Sequence, residues 1–345
     1  MNNKIAIVTD THFGTKKSSD RFLDSQMKFF TEEFIPYLKE NNITTIVFGG
    51  DTFDSRNSIN VKITNAVFSL FESLQEFTIY VIIGNHDIYY KTTTEVNSLK
   101  FLKKFDNVTL IENVTEIDDM LLVPWQVDEK KFTDYVIENK LHNKICIGHF
   151  DINGFRQTKS MNSVDGFSTK VFENFDIVFS GHFHLRDEQM KNGTKFIYVG
   201  APYHLDRNDI GMAKGFCIVD TKTLEYEFVD NTTSIKYVSV NYPTVVEKSD
   251  IENNVVDVYV DYDENYNEIK FKEYLSIIDS YSPLECNVKL INNFLSGEEI
   301  SELDDYDISN IESIIKDYIK GLDGVDQKEY IDKVIFDLYD KVKDI

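Results

Sequence analysis

Five short motifs in this sequence carry groups that bind metals, four of them beginning with glycine: Asp10-Thr11-His12, Gly50-Asp51-Thr52-Phe53-Asp54, Gly84-Asn85-His86-Asp87, Gly148-His149 and Gly181-His182-Phe183-His184. Glycine lets backbone turn sharply beside a site, and each motif offers a carboxylate, an amide or an imidazole. One such motif alone is weak evidence, because Gly-His pairs are common and a lone strand-end histidine is readily a satisfied polar residue. Five in succession say more, and of the 7 histidines only His142 and His204 fall outside them. Imidazole mixed with carboxylate and amide oxygen suits Mn, Fe, Zn or Co better than Ca or Mg. Asp10, His12, Asp51, Asn85, His149, His182 and His184 are too many ligands for one ion, and enough for two if one carboxylate bridges. Two ions about 3.5 to 4 Å apart clamp both oxygens of an in-line displacement at phosphorus. The expected chemistry is therefore hydrolysis of a phosphoester by activated water.

The elements that must position these groups surround them. Strand-like runs at 4–9, 43–49, 78–84, 107–111, 120–125, 144–150 and 176–181 are interspersed with helical patterns near 20–40, 59–75, 94–105 and 129–140. That succession is the signature of an α/β layer architecture. Each motif lies at or just past the C-terminal end of one of these strands, where α/β sheets place ligands. The runs are apolar throughout rather than alternating, so they belong inside a sheet covered on both faces. From about 187 to 240 the pattern turns to meander-like strands, such as 194–200 and 215–220, and implies a second sheet. A strand at 255–261, a helical stretch near 267–279 and a strand at 286–292 make a small β-α-β unit, with a boundary near 243. Residues 296–307 are polar and acidic, and two amphipathic helical patterns follow, the first through Ile308, Ile311, Ile315 and Ile319, the second through Ile331, Val334, Ile335, Leu338 and Val342. The expected organisation is 1–243, 244–295 and 296–345.

A chain of 345 residues has room for one large core and an appended unit. No apolar run approaches the ~18 residues of a membrane span. The opening MNNKIAIVTD lacks the basic flank and apolar stretch of a signal peptide, so the expected location is cytoplasmic. Cys146, Cys217 and Cys286 are far apart and without CxxC spacing, which argues against a disulfide framework or a zinc cluster and leaves three small hydrophobes. The net charge of -23 at first speaks against a nucleic-acid partner. The acidity is uneven, however: residues 250–345 hold 9 Lys and Arg against 25 Asp and Glu, away from the metal-binding motifs.

In this order, Asp-x-His, Gly-Asp-x-x-Asp, Gly-Asn-His-Asp, Gly-His and Gly-His-x-His resemble the calcineurin-like metallophosphoesterases. The resemblance implies a four-layer αββα sandwich, here with a small β-α-β cap and C-terminal helices. It implies one metal on Asp10, His12, Asp51 and His184 and another on Asp51, Asn85, His149 and His182, with Asp51 bridging. It makes His86 the general acid and gives Asp54 the task of holding the His86 ring through its carboxylate; Asp87 is either part of the site or a strand-end cap. Manganese is the leading expectation for both ions, with Mg, Fe or Zn as alternatives.

The stretch from Tyr198 to Asp220, the MLLVPWQ strand and the overall layout are similar to the SbcD-like nucleases, in particular the T-even phage recombination endonuclease branch. That similarity implies a DNA nuclease, exonuclease or endonuclease, acting with an SMC-like ATPase partner in recombination and break repair, and a homodimer. The acidic C-terminal segment would then dock on the partner, or pack on its own domain as an ordinary hairpin. One departure is Asp54, where many cellular members carry a histidine. Competing expectations are a phosphatase or cyclic-nucleotide phosphodiesterase of the same fold, and a non-catalytic scaffold.

Overall fold

A computed structural model describes residues 3–138, 144–261 and 266–291. Its strands, in chain order, are β1 (Lys4–Val8), β2 (Thr45–Phe48), β3 (Thr78–Ile82), β4 (Val108–Ile111), β5 (Thr115–Ile117), β6 (Met120–Val123), β7 (Ile145–His149) and β8 (Ile177–Gly181). There follow β9 (Asp187–Lys191), β10 (Thr194–Tyr198), β11 (Gly215–Asp220), β12 (Tyr226–Asp230), β13 (Tyr237–Asn241), β14 (Val255–Asp261) and β15 (Glu285–Ile291). They form three sheets, ordered β12-β11-β1-β2-β3-β4, β5-β6-β7-β8-β10-β9 and β13-β14-β15. β1, β2, β3 and β4 run parallel, as do β6, β7 and β8, so the strand ends that carry the motifs are neighbours within each sheet.

The two large sheets pack face to face. Ile5 and Ile7 of β1, Val47 of β2 and Ile82 of β3 meet Leu122 of β6, Ile145 and Ile147 of β7 and Phe179 of β8 in one buried cluster. The alternate residues Ala6, Val8, Ile46, Phe48, Ile79 and Val81 face away, onto Phe29, Phe30 and Phe34 and onto the helix Val61–Ser73 through Val67, Leu70 and Phe71. On the far side, Val123, Cys146 and Val178 of the second sheet pack against Phe132 and Val136 of the helix Glu129–Glu138. Both faces of every central strand are thus apolar and covered, as the unbroken apolar runs require. This is the helix-sheet-sheet-helix layering the resemblance implied, a mixed α/β fold.

The helical region at 20–40 is made of Asp20–Lys28, a π-helical stretch Phe29–Phe34, and Ile35–Glu40. Pro36 has no N–H to give, and the wider π turn directly before it is where the helix absorbs that loss. That turn carries Phe29, Phe30 and Phe34, all fully buried, each worth roughly 1.5 to 3 kcal/mol of transfer free energy.

Three expectations change. The meander after 187 is not a sheet of its own: β9 and β10 complete the sheet begun by β5, while β11 returns to pair antiparallel with β1, Ile5 opposite Val219. The helix expected at 94–105 is a pinned loop ending in the 3-10 turn Lys100–Lys104. The β-α-β unit is present as β14, the helix Glu268–Ser280 and β15, its two strands parallel, but β13 joins the same sheet, also parallel, from the other side of β14. This third sheet meets the rest through Phe22, Tyr237 and Val255 and through Arg207, which grips the buried Asp257 by two hydrogen bonds of 2.7 and 3.1 Å. The acidic segment and the amphipathic patterns from 296 onward lie outside the described residues. No helix among the described residues is long and apolar enough to cross a membrane.

Candidate metal centre

Beyond their last strand residues, β1 and β2 continue side by side. Asp10 N–H donates to Gly50 O (3.0 Å), His12 N–H to Asp51 O (3.0 Å) and Phe13 N–H to Thr52 O (2.8 Å). The zipped loops set Asp10 and His12 beside Asp51. β7 and β8 do the same in the second sheet, with His149 in register with Gly181. The backbone is strained where the ligands turn inward: Asp10 (φ 54°), His12 (φ 40°), Asp51 (φ 52°) and His182 (φ 89°) all lie in the left-handed region. Each non-glycine residue there costs on the order of 1 kcal/mol or more, which persists only where surrounding structure imposes it. Gly84 shows how tightly the loops are drawn together, since a Cβ there would overlap the backbone nitrogen and carboxylate of Asp51.

All seven expected ligands converge. Asp10, His12, Asp51, Asn85 and His149 are buried, and His182 and His184 are partly so. Ligand atoms of Asp10, His12 and His184 lie within 4.8 Å of one another, and so do those of Asp51, His149 and His182. The Asp51 carboxylate stands between the groups, its Oδ2 3.7 Å from His12 Nε2 and 3.3 Å from His149 Nε2. Asn85 Oδ1 joins the second group, 3.0 Å from both His149 Nε2 and His182 Nδ1. His12 Nε2 and His184 Nε2 face each other at 3.1 Å.

The donor set fits cations. His149 Nδ1 donates to Gly49 O at 2.9 Å, which turns its Nε2 toward the oxygens of Asn85 and Asp51. A ring nitrogen among oxygens at these distances needs positive charge there, its own proton or a cation that takes the proton's place. Burial opposes charge on Asp51, yet the His149 and His12 imidazoles hold its carboxyl well below the usual carboxylate range. Burial also opposes a proton on His149, but Asp51 and Asp10 raise its pKa to about 9. His182 is lowered to about 3 by burial and by the charge on His149, and His184 is likewise lowered by burial and His12, so both rings are neutral as ligands must be. Two buried carboxylates meet four imidazoles here, and cations bound among them would displace the protons that the imidazoles otherwise hold.

The groups around the ligands were less visible in sequence. His86 Nδ1 donates to a backbone carbonyl, Asp54 O, at 2.7 Å; the Asp54 carboxylate, expected on His86, instead lies 3.4 Å from His12 Nδ1. Asp87, 1% exposed, accepts N–H bonds from Gly84 (2.9 Å), Thr52 (3.0 Å) and Phe53 (3.2 Å), and so ties the loop of Asn85 to the loop of Asp51. Gln26 reaches from its helix to the carbonyls of Thr11 and His12 at 3.0 and 3.2 Å. Lys214, buried and paired with Asp209, donates to His184 O at 2.7 Å. The Trp125 ring lies 5.0 Å from His182 and 5.9 Å from His149. A buried glutamine or lysine that serves a backbone carbonyl leaves no motif, only a polar residue on an otherwise apolar face.

The family model for calcineurin-like phosphoesterases matches residues 3–186, a span that contains all seven candidate ligands. Over 333 residues, 93% of this chain and 94% of the other, the sequence is 26% identical to Exonuclease subunit 1 of Enterobacteria phage T4. It is 25% identical over 257 residues, 68% of this chain and 69% of the other, to a protein of Invertebrate iridescent virus 3 named as phosphoesterase 078R. A solved archaeal phosphodiesterase overlays with a TM-score of 0.36 at 14% identity, over 66% of this chain and 99% of that one, a likeness too distant to carry an argument. With its motifs in family order and more than half its length inside the family match, this chain belongs to the calcineurin-like phosphoesterases, which are metal-dependent hydrolases.

Proposed function

We propose that this chain is a metal-dependent DNA nuclease that hydrolyses phosphodiester bonds at a two-metal centre. The observation that carries the reading is the Asp51 carboxylate set between two ligand groups, 3.7 Å from His12 Nε2 and 3.3 Å from His149 Nε2. Asp10, His12, Asp51 and His184 would hold one divalent ion, manganese first, and Asp51, Asn85, His149 and His182 the other. Bound there, the pair supplies Lewis-acid polarisation of the phosphoryl group and acidifies water. The protein's own part is to keep His182 and His184 neutral, to balance the buried carboxylates, and to present a proton. His86 suits that last role: its Nδ1–H is fixed on Asp54 O, which leaves Nε2 as the nitrogen that protonates the leaving oxygen.

DNA as substrate is supported by the end-to-end match with a phage exonuclease subunit. That relative is named as a subunit, which supports a partner; we infer an ATPase, with residues 296–345 as the docking segment, 244–295 as a cap and a dimer as the working form. DNA affinity would then come largely from the partner and from paired sites, which relieves the acidic chain of holding a polyanion alone. Incubation of the full chain with end-labelled linear DNA and Mn tests the reading. Shortened DNA that disappears with EDTA supports it; hydrolysis of small phosphomonoesters with intact DNA would make the protein a phosphatase instead.

A further inference from the structure

Tyr89 and Tyr90 follow the catalytic loop by three and four residues, and they are 50% and 52% exposed. Their rings meet edge to face, centroids 4.8 Å apart at 87°. In that geometry the contact between the two rings covers only one ring face. Two adjacent tyrosines left half in water, when the same chain buries Tyr198 and Tyr203 completely or nearly so, call for an occupant.

The loop that carries them is built rather than loose. Tyr89 N–H donates to Val96 O at 2.9 Å, Ser98 N–H to Asp87 O at 2.9 Å, and Ile88 bridges Asn97. Asn97 Nδ2 closes back on Thr94 O at 2.9 Å. The rings are thus held on a short hairpin whose root is Asp87, itself fixed by three backbone N–H groups. At 3.8 Å per Cα step, Tyr89 lies at most roughly 11 Å from His86 along the chain, which is about three steps of a stacked strand at 3.4 Å each. Lys91, next in sequence, is exposed and forms no ion pair among the described residues.

Resting on the nuclease reading above, we infer that Tyr89 and Tyr90 form a stacking platform for an unpaired base of the strand being cut, one to three nucleotides from the scissile phosphate, with Lys91 on the backbone. Aromatic rings stack on any base, and alanine substitution of such a ring costs ~1 to 3 kcal/mol per base. A base within a duplex is already stacked, so the platform favours single-stranded or frayed ends over blunt duplex. Its rigidity lowers the ordering cost of binding.

The test compares the full chain with Tyr89→Leu, Tyr90→Leu and the conservative Tyr89→Phe/Tyr90→Phe variant on a single-stranded oligonucleotide, a blunt duplex and bis(p-nitrophenyl) phosphate. Expected for the leucine variants is a roughly five- to hundredfold rise in KM on the oligonucleotide, with little change on the small diester and with near-normal KM in the phenylalanine variant. Unchanged KM in leucine variants that still hydrolyse the small diester overturns the platform alone. Absence of DNA cleavage by the unmutated protein, with the diester still hydrolysed, overturns the nuclease reading and the platform with it. A 2-aminopurine near the oligonucleotide end gives a measurement free of folding defects: stacking on the unmutated protein quenches its fluorescence, and no quenching on binding contradicts the inference.

Discussion

Replacing Asp87 with alanine isolates the tie between the two loops that bring Asp51 and Asn85 together. The carboxylate accepts from Gly84 N–H (2.9 Å), Thr52 N–H (3.0 Å) and Phe53 N–H (3.2 Å), and its surroundings are dry, with Thr52 1% and Phe53 0% exposed. Each buried donor left without a partner costs about 1 to 3 kcal/mol, and some relaxation or an entering water offsets part of the sum, so the total is about 3 to 5 kcal/mol. At ~2 to 4 °C per kcal/mol for a domain of this class, the melting temperature falls by roughly 10 °C. Asp87→Asn retains one acceptor oxygen but points an amide N–H at a donor, and is expected to lose about half as much. Metal affinity falls as well, by roughly 10- to 100-fold, because the loops that aim Asp51 and Asn85 lose their common anchor. Thermal unfolding in EDTA reads the first effect and Mn titration calorimetry the second. An Asp87→Ala protein that melts within about 2 °C of the unmutated one and binds Mn equally well refutes the reasoning.

Further outcomes follow from the same geometry. His86→Ala is expected to retain both metals and lose about 10²- to 10⁴-fold in turnover, whereas Asp51→Ala loses metal and turnover together; calorimetry beside kinetics separates them. Asp54→Ala leaves the backbone carbonyl on His86 and removes the carboxylate beside His12, so it should weaken Mn binding while turnover at saturating Mn stays near normal; lost turnover with intact Mn affinity would contradict the geometry. His204, buried between Tyr237 N–H (3.1 Å) and Met212 O (3.1 Å), has its pKa lowered to about 4 by burial, outweighing the nearby Asp209 charge. The unfolded chain therefore binds the extra proton between pH ~6.5 and about 4, so its contribution is full above 6.5 and lost on acidification through that window, on the order of 3 kcal/mol. Urea titrations across that range should show the loss, and His204→Gln should flatten it.

The candidate ligand positions were legible because each is a polar residue at or just past the end of an apolar run, most of them in motifs that contain glycine. The layer order was legible for a related reason: Ile5 and Ile7 face one partner while Ala6 and Val8 face another, so no strand alternates with polar residues. Sheet membership was not, because β11 pairs with β1 across some two hundred residues, Ile5 opposite Val219, and long-range pairing leaves no local mark. The misread helix at 94–105 has a specific cause: Leu99, Leu102 and Phe105 are buried at intervals of three, the period of the 3-10 turn found there rather than of an α-helix. Gln26 and Lys214 escaped notice because what they hold are backbone carbonyls, His12 O and His184 O, and a carbonyl has no residue type to recognise. Asp54 does hold the His86 ring, but through its main-chain oxygen while its carboxylate lies beside His12, because sequence supplies the residue and not which of its oxygens does the holding.

Anomalous diffraction from a crystal soaked in manganese tests the central claim most directly. The account expects two peaks, one on Asp10, His12 and His184, the other on Asn85, His149 and His182, with Asp51 touching both. A single peak, or two that share no carboxylate, would contradict it.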